Sequence, residues 1–253
     1  MRAPRYYRTK RALGALVRLA GRVPGLAAWS ERRRVRLRSY GFTDNAGYYA
    51  QWGQDQFVDQ IVFREQRGGT FVDIGANDGV ALSNTYFLET VRGWTGLCVE
   101  PQPTVFAALR AARRCDCVEG CAATSDGEAA FTIVDGVSNV LSGRPDVFPD
   151  GHAARIAESV RVEGGLVRSI IVRCYEVNAL IRRHGLTSVD FLSIDTEGGE
   201  AELLAAIDLD RFRVRAIAIE NNYADRRIER ALDARGYDFA AWMGSDEIYV
   251  RRS

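Results

Sequence analysis

The chain has 253 residues, a formal net charge of +1, and 47% hydrophobic and 26% charged residues. This composition is typical of a globular domain with an appendage, and it excludes a fibrous or wholly disordered protein. No run of about 18 apolar residues occurs, so we expect no membrane-spanning helix. The five cysteines lack metal-binding spacing and are predicted to be free thiols in a reducing cytoplasm.

Charge divides the chain into two parts. Residues 1–40 carry twelve Arg or Lys and one acid, Glu31, so the rest carries about −10 by subtraction. We predict a basic helical arm over residues 1–45 and a catalytic domain over residues 46–253. The arm is either a solvated amphipathic helix or a weak peripheral contact with the inner membrane face. Because an acidic domain repels phosphates, no nucleic-acid partner is expected.

Hydrophobic periodicity predicts alternating strands and helices in the domain. A helix within residues 49–66 leads into the first strand. Strands are predicted near residues 71–74, 96–99, 117–122, 131–134, 169–173, 189–194 and 214–219, helices near 103–113, 178–184, 200–206 and 229–235, and a closing hairpin at 237–242 and 247–251. This alternation is typical of an α/β protein with a doubly wound, Rossmann-like parallel sheet. Residues 135–167 are rich in Gly and Pro and predict an irregular lid or substrate-binding loop.

A Gly-rich turn follows the first strand. The stretch Phe71–Gly79 ends an apolar run at Asp73 and turns through Gly75 and Gly79. It lacks the middle Gly of a dinucleotide loop, and its acids would repel a pyrophosphate but attract an ammonium group. The next apolar run ends at Glu100, at a spacing that lets its carboxylate bind both ribose hydroxyls. Together these features favour S-adenosylmethionine over NAD.

A second group of acids follows the apolar strand at residues 189–194. Asp195, Glu197 and Glu200 are crowded there, and crowded carboxylates either raise each other's pKa or bind a cation. Glu200 is accounted for by the dipole of the helix that it begins. Asp195 and Glu197 therefore predict a proton-transfer device or a Mg²⁺ site.

Four motifs, in this order, resemble the FkbM-type family of S-adenosylmethionine-dependent methyltransferases. They are Phe71–Gly79, Ser83-Asn84-Thr85, Val99-Glu100-Pro101 and Phe191–Glu200. The resemblance covers roughly residues 50–242. It implies a seven-stranded methyltransferase sheet whose last strand is antiparallel. It also implies O-methylation of a hydroxyl on a sugar, glycan or natural product.

The resemblance implies two groups of site residues in this sequence. The cofactor-binding group is Asp73, Gly75, Asn77 and Gly79 around the methionine part, Glu100 on the ribose, and Asp126 near the adenine. The catalytic group is Asp195, Glu197 and Glu220. By composition alone, Ser125-Asp126-Gly127 is equally typical of a surface turn.

Other functions stay open at this point. A nicotinamide-dependent oxidoreductase would bind NADH, but the turn lacks the glycine which that cofactor needs. A non-catalytic glycan-binding or scaffold protein would keep the fold without the activity. His184, a candidate base by residue type, follows a helix and is predicted to be a helix C-terminal residue that the dipole favours.

Overall fold

The computed structural model of the protein describes residues 47–136 and 139–252. The predicted arm over residues 1–45 lies outside these residues. The strands are β1 (Thr70–Ile74), β2 (Thr95–Glu100), β3 (Asp116–Glu119), β4 (Cys121–Ala123), β5 (Gly127–Val134), β6 (Val167–Glu176), β7 (Phe191–Ile194), β8 (Ala216–Glu220), β9 (Tyr237–Met243) and β10 (Asp246–Arg251). The helices are α1 (Gln54–Phe57, continued by a π-helical turn over Val58–Val62), α2 (Tyr86–Arg92), α3 (Pro103–Ala112), α4 (His152–Glu163), α5 (Val177–Arg183), α6 (Glu200–Ala206) and α7 (Arg226–Ala234).

A seven-stranded sheet forms the centre of the domain, in the order β3-β2-β1-β7-β8-β10-β9. Strands β3, β2, β1, β7 and β8 are parallel, whereas β10 runs antiparallel to both β8 and β9. The predicted doubly wound fold with an antiparallel last strand is therefore confirmed. Because β1, β2, β7 and β8 all point the same way, their carboxyl ends meet at one edge of the sheet.

The core lies on both faces of this sheet, since successive strand residues point to opposite sides. Phe71 packs on one face with residues of α1, α2 and α3. Val72 packs on the other face with residues of α5, α6 and α7. Both side chains are almost fully buried, and burial of such a side chain contributes about 1.5–3 kcal/mol. Helices on both faces leave the edges of the sheet as the place for a site.

A second, three-stranded sheet has the order β4-β6-β5. The strand predicted over residues 117–122 is two strands, β3 and β4, which belong to different sheets. Gly120 separates them at φ +141, where an added Cβ would lie 2.6 Å from the carbonyl oxygen of Arg173. The chain bends there because only glycine allows this close approach. The strand predicted at residues 169–173 is part of β6 in this second sheet.

The segment 135–167 is less irregular than predicted. It contains the 12-residue helix α4, which the sequence reading missed because Gly and Pro on both sides dominated the local pattern. Its residues His152 and Ile156 are buried, and Ile156 packs against Val134 and Leu141. Tertiary packing, rather than local propensity, thus determines this helix.

Two further expectations concern cysteines and membranes. All five cysteines are free thiols, four of them buried. Within the described ranges, none of the helices combines the length and apolar character that crossing a bilayer requires.

Candidate active site

A cavity of about 620 Å³ lies at the carboxyl edge of the large sheet. This volume is in the range of small-molecule sites, about 300–1,000 Å³. The predicted site residues that line it are Asp73, Gly75, Asn77, Glu100, Asp195, Glu197 and Glu220. Residues that are far apart in the sequence therefore meet around one space, as the strand directions require.

Gly75 forms the turn between β1 and the cavity. Its φ is +85, and an added Cβ would lie 1.6 Å from the backbone oxygen of Asp195, so no other residue fits. Its N–H donates to Val99 O at 2.9 Å, while the N–H of Asp195 donates to Ile74 O at 2.9 Å. The turn is thus held between the ends of β2 and β7.

Glu100 ends β2 with its carboxylate held by the backbone. Oε2 accepts the N–H of Asn77 at 3.0 Å, and Oε1 accepts the N–H of Gln102 at 2.9 Å. Burial raises the pKa of Glu100 to about 7, although these two bonds oppose the rise. Each oxygen keeps a lone pair that can accept a hydrogen bond from a hydroxyl of a ligand in the cavity.

Two buried amide oxygens at the cavity have no hydrogen-bond partner among the described residues. They are Asn84 Oδ1 and Gln102 Oε1. An unsatisfied buried acceptor costs about 1–3 kcal/mol, so a ligand that donates hydrogen bonds to both would remove this cost. The sequence reading gave neither residue a role, although Asn84 belongs to one of the four motifs.

Two predicted cofactor residues do not line the cavity. Gly79 lies behind the turn, where an added Cβ would meet Leu109 Cδ1 at 2.5 Å. Asp126 is in an exposed turn and accepts the backbone N–H of Glu176 at 2.9 Å. The structure therefore places Asp126 in the surface turn that was the alternative from composition. The cavity wall in this part of the chain comes instead from residues 120–124.

The three predicted catalytic acids do meet. Oxygens of Asp195, Glu197 and Glu220 lie within 4.8 Å of one another, with Glu197 and Glu220 buried and Asp195 partly exposed. Burial, followed by repulsion from neighbouring carboxylates, raises the pKa of Asp195 and of Glu220 well above their ordinary values. Burial also raises the pKa of Glu197 to about 7 against the opposing effect of Arg155. Such acids can take up a proton near neutral pH.

The segment 135–167 closes one side of the cavity. Among its lining residues are Val140, Arg144 and Arg155, and Arg155 Nη1 lies 3.4 Å from Glu197 Oε2. Its position agrees with the predicted role of a segment that lines a site. That this segment selects the acceptor stays a prediction.

His152, in helix α4, is a residue to which the sequence pattern gave no role. The imidazole is fully buried, with Nε2 3.1 Å from Leu141 O and Nδ1 3.0 Å from Tyr223 Oη. Because a carbonyl only accepts, Nε2 carries the hydrogen and Nδ1 accepts from the tyrosine. Nδ1 lies 3.8 Å from Glu197 Oε2, and Arg155 of the same helix pairs with that oxygen, so α4 lies against the acids of the site.

His184 has the predicted position at a helix end. It is the C-cap of α5, and its Nδ1 lies 2.7 Å from Asp116 Oδ2. It is not among the residues that line the cavity.

Comparisons with known proteins give a consistent result. A family model described as "Methyltransferase FkbM domain" matches residues 73–239, about two thirds of the chain. The crystal structure of methyltransferase FkbM from Methylobacillus flagellatus KT aligns at 13% identity and a TM-score of 0.43, over 76% of this chain and 47% of that one. A TehB-like SAM-dependent methyltransferase from Corynebacterium glutamicum aligns at 13% identity and a TM-score of 0.38, over 89% of this chain and all of that one.

The N-terminal domain of human METTL16 in complex with SAH aligns at 12% identity and a TM-score of 0.34, over 74% of this chain and 62% of that one. The chain spans about half the length of the Methylobacillus flagellatus protein, of which the alignment covers 47%. No curated protein matches the sequence significantly.

Proposed function

The chain belongs to the FkbM methyltransferase family, and we propose that it transfers a methyl group from S-adenosylmethionine to a hydroxyl oxygen of a sugar, glycan or natural product. The observation that carries this proposal is the meeting of three carboxylates beside the cofactor turn, with oxygens within 4.8 Å of one another. A hydroxyl is a poor nucleophile, so its methylation needs a group that removes the proton.

The cofactor half of the cavity fits S-adenosylmethionine. The Glu100 carboxylate has lone pairs that can accept hydrogen bonds from ribose hydroxyls. Gly75 has no side chain, so a ligand can approach the backbone there. The side-chain oxygens of Gln102 and Asn84 have no hydrogen-bond donor among the described residues. When bound, the cofactor supplies a methyl group on a sulfonium. Glu100 ends β2 and Asp195 follows β7, with β1 between them, so two strand spacings of about 4.8 Å each separate the ribose acid from the catalytic acid.

The acceptor half of the cavity combines an aromatic surface with acids. The Trp52 side chain lines the cavity and is 43% exposed. It packs on Gly244, where an added Cβ would lie 2.1 Å from the indole. An indole held in this way offers a rigid apolar surface at little entropic cost. A sugar ring has an apolar C–H face and hydroxyl donors, which suit the indole and the carboxylates respectively.

The same acids support an acceptor that is not a nucleic acid. Glu197, Glu220 and Asp246 are all buried around the cavity. Those of the three that are ionised would repel a phosphate group. We therefore expect a neutral or cationic polyhydroxylated acceptor.

Asp195 is the proposed base. It lies at the end of β7 and follows the strand that packs against the cofactor turn. Asp195 would accept the hydroxyl proton while the acceptor oxygen takes the methyl group, and the methyl–sulfur bond of the sulfonium would break to release S-adenosylhomocysteine. Glu197 and Glu220 keep the affinity of Asp195 for that proton high. The remaining work of the protein is to align the acceptor oxygen for in-line attack.

A bound cation is the second candidate for activating the hydroxyl. Carboxylate oxygens are the ligands that Mg²⁺ prefers, and the three acids are close enough for one ion to contact all of them. A cation there would lower the pKa of the hydroxyl instead of accepting its proton. Turnover that EDTA abolishes and Mg²⁺ restores would support this route, whereas turnover unaffected by EDTA would support Asp195 as the base.

The test is a screen of methyl glycosides, oligosaccharides and hydroxylated natural products with S-adenosylmethionine, read by mass spectrometry and NMR. We expect a product 14 Da heavier with the methyl on oxygen. Asp195→Asn should lower kcat by about 10²–10⁴-fold with unchanged binding of S-adenosylhomocysteine. The exposed Asp150→Asn serves as the control. Methyl transfer to nitrogen or carbon, or full activity of Asp195→Asn, would contradict the proposal.

A further inference from the structure

A buried chain of hydrogen bonds lies behind the cofactor turn. It begins at Arg113, whose side chain is fully buried and paired with Glu89. The guanidinium also donates to the carbonyl oxygen of Gly79 at 3.2 Å and to Thr85 Oγ1 at 2.9 Å. Its carbon lies 5.3 Å from the centre of the Phe71 ring. A cation this enclosed holds its partners in one arrangement.

The direction of each hydrogen bond follows from the donors and acceptors present. Arg113 only donates, so Thr85 Oγ1 accepts from it and gives its own hydrogen to Asp73 Oδ2 at 2.6 Å. The Ser193 hydroxyl is placed next to this carboxylate, because Ser193 pairs with Asp73 across β7 and β1, and it opposes the rise that burial causes in the pKa of Asp73. With its hydrogen directed at Asp73, Ser193 Oγ can only accept from its remaining neighbour.

That neighbour is Asn84, and its amide orientation is thereby fixed. Nδ2 donates to Ser193 Oγ at 3.0 Å. Oδ1 is left without a hydrogen-bond partner among the described residues, on a residue that lines the cavity and is only 9% exposed. A flipped amide would place this oxygen against a hydroxyl whose hydrogen faces Asp73.

We propose that Asn84 Oδ1 binds the ammonium group of the amino-acid part of the cofactor, and that the chain Arg113–Thr85–Asp73–Ser193 holds Asn84 in the required orientation. An ammonium group has three donors and no acceptor, which matches an unpartnered amide oxygen on a residue that lines the same cavity as Asp73. Asn84 bonds to β7 through Ser193, on the far side of β1 from Glu100 and β2. The inference depends on the cofactor alone and not on the proposed acceptor class.

Two ligands can distinguish binding of the ammonium group by Asn84 from a general effect on the cofactor site. S-adenosylhomocysteine carries the amino-acid part, and 5′-methylthioadenosine lacks it. By isothermal titration calorimetry, Asn84→Ala should bind S-adenosylhomocysteine about tenfold more weakly, equivalent to about 1.4 kcal/mol, and 5′-methylthioadenosine as tightly as the wild type does. Gln102→Ala, at the other unpartnered oxygen, should not share this selectivity. An equal loss for both ligands in Asn84→Ala, or no loss, would overturn the assignment.

The positioning chain is tested one step away from the cavity. Thr85 is fully buried and does not line the cavity, so Thr85→Val removes the link between Arg113 and Asp73 without touching the ligand. It should reproduce the selective loss for S-adenosylhomocysteine, and Thr85→Ser should restore binding. Thr90→Val is the control, because Thr90 lies in α2, the helix that Thr85 caps, and its hydroxyl only donates to Tyr86 O at 2.8 Å.

Ser193→Ala breaks the chain at its other end and replaces Thr85→Val if that variant does not fold. The side-chain amide signals of Asn84 in ¹⁵N NMR spectra give a readout without ligand, and they should shift in Thr85→Val but not in Thr90→Val. Unchanged amide signals and unchanged selectivity in both chain variants would show that Asn84 is held without this chain.

Discussion

Glu197→Gln should stabilise the protein at alkaline pH while it impairs catalysis. Glu197 is buried, and its carboxylate lies within 4.8 Å of the carboxylates of Asp195 and Glu220. Ionising it in the folded protein is therefore unfavourable. Glutamine keeps the shape of the side chain but has no charge to bury.

The magnitude follows from the pKa of Glu197, which burial raises from 4.5 to about 7. Between these two values the folded protein retains a proton that the unfolded chain has released, so the free energy of unfolding falls as pH rises. From the two pKa values, this loss amounts to about 2–3 kcal/mol between pH 5 and pH 8. Glu197→Gln should escape it and gain about that much relative to the wild type over this range.

Urea unfolding of both proteins at pH 5 and pH 8, without ligand, measures the effect. For a chain of this size, a gain of about 2–3 kcal/mol corresponds to a Tm shift of about 4–12 °C. Glu119→Gln, at an exposed position, is the control and should show no such pH-dependent gain. If the difference between Glu197→Gln and the wild type does not grow with pH, burial does not raise the pKa of Glu197 as described.

Two further substitutions test the two halves of the cavity. Gly75→Ala should abolish binding of S-adenosylhomocysteine, because the new Cβ would lie 1.6 Å from Asp195 O. Gly68 has a φ of +65 but open space around it, so Gly68→Ala should bind this ligand normally. Calorimetric titration of both variants measures the difference. Trp52→Leu should raise the KM of the acceptor about five- to tenfold and leave S-adenosylhomocysteine binding unchanged. Tyr49 is a similarly exposed aromatic residue that does not line the cavity, so Tyr49→Leu should change neither the KM of the acceptor nor the binding of S-adenosylhomocysteine. An unaltered KM in Trp52→Leu would show that the indole does not contact the acceptor.

The parts of the site that could be read from sequence are those where one local rule suffices. An apolar run followed by an acid or a glycine marks the carboxyl end of a parallel strand, and all such ends meet at one edge. This rule correctly brought Asp73, Glu100 and Asp195 to a single cavity. Gly75 could be singled out because a tight turn needs its backbone freedom.

The parts that could not be read depend on contacts between distant segments. Arg113 ends an ordinary amphipathic helix, and nothing in its neighbourhood shows that it reaches Thr85 across 28 positions. His152 meets Tyr223 across 71 positions for the same reason. Asp126 has the composition of a site residue and of a turn, and its bond to the backbone of β6 makes it a turn. Composition cannot distinguish these cases because the partner is supplied by the tertiary fold.

The acceptor half of the cavity shows how one antiparallel strand changes the chemistry of an otherwise parallel edge. In β8 the acid Glu220 comes last, as the strand-end rule expects. In β10 the acid Asp246 comes first, and because β10 runs the opposite way, Asp246 pairs directly with Glu220. Gln54 then donates to Asp246 at 2.9 Å and accepts the backbone N–H of Trp52 at 2.8 Å. The strand reversal therefore places a buried carboxylate and an aromatic surface next to the three acids proposed to be catalytic, where a purely parallel sheet would present only the carboxyl ends of its strands.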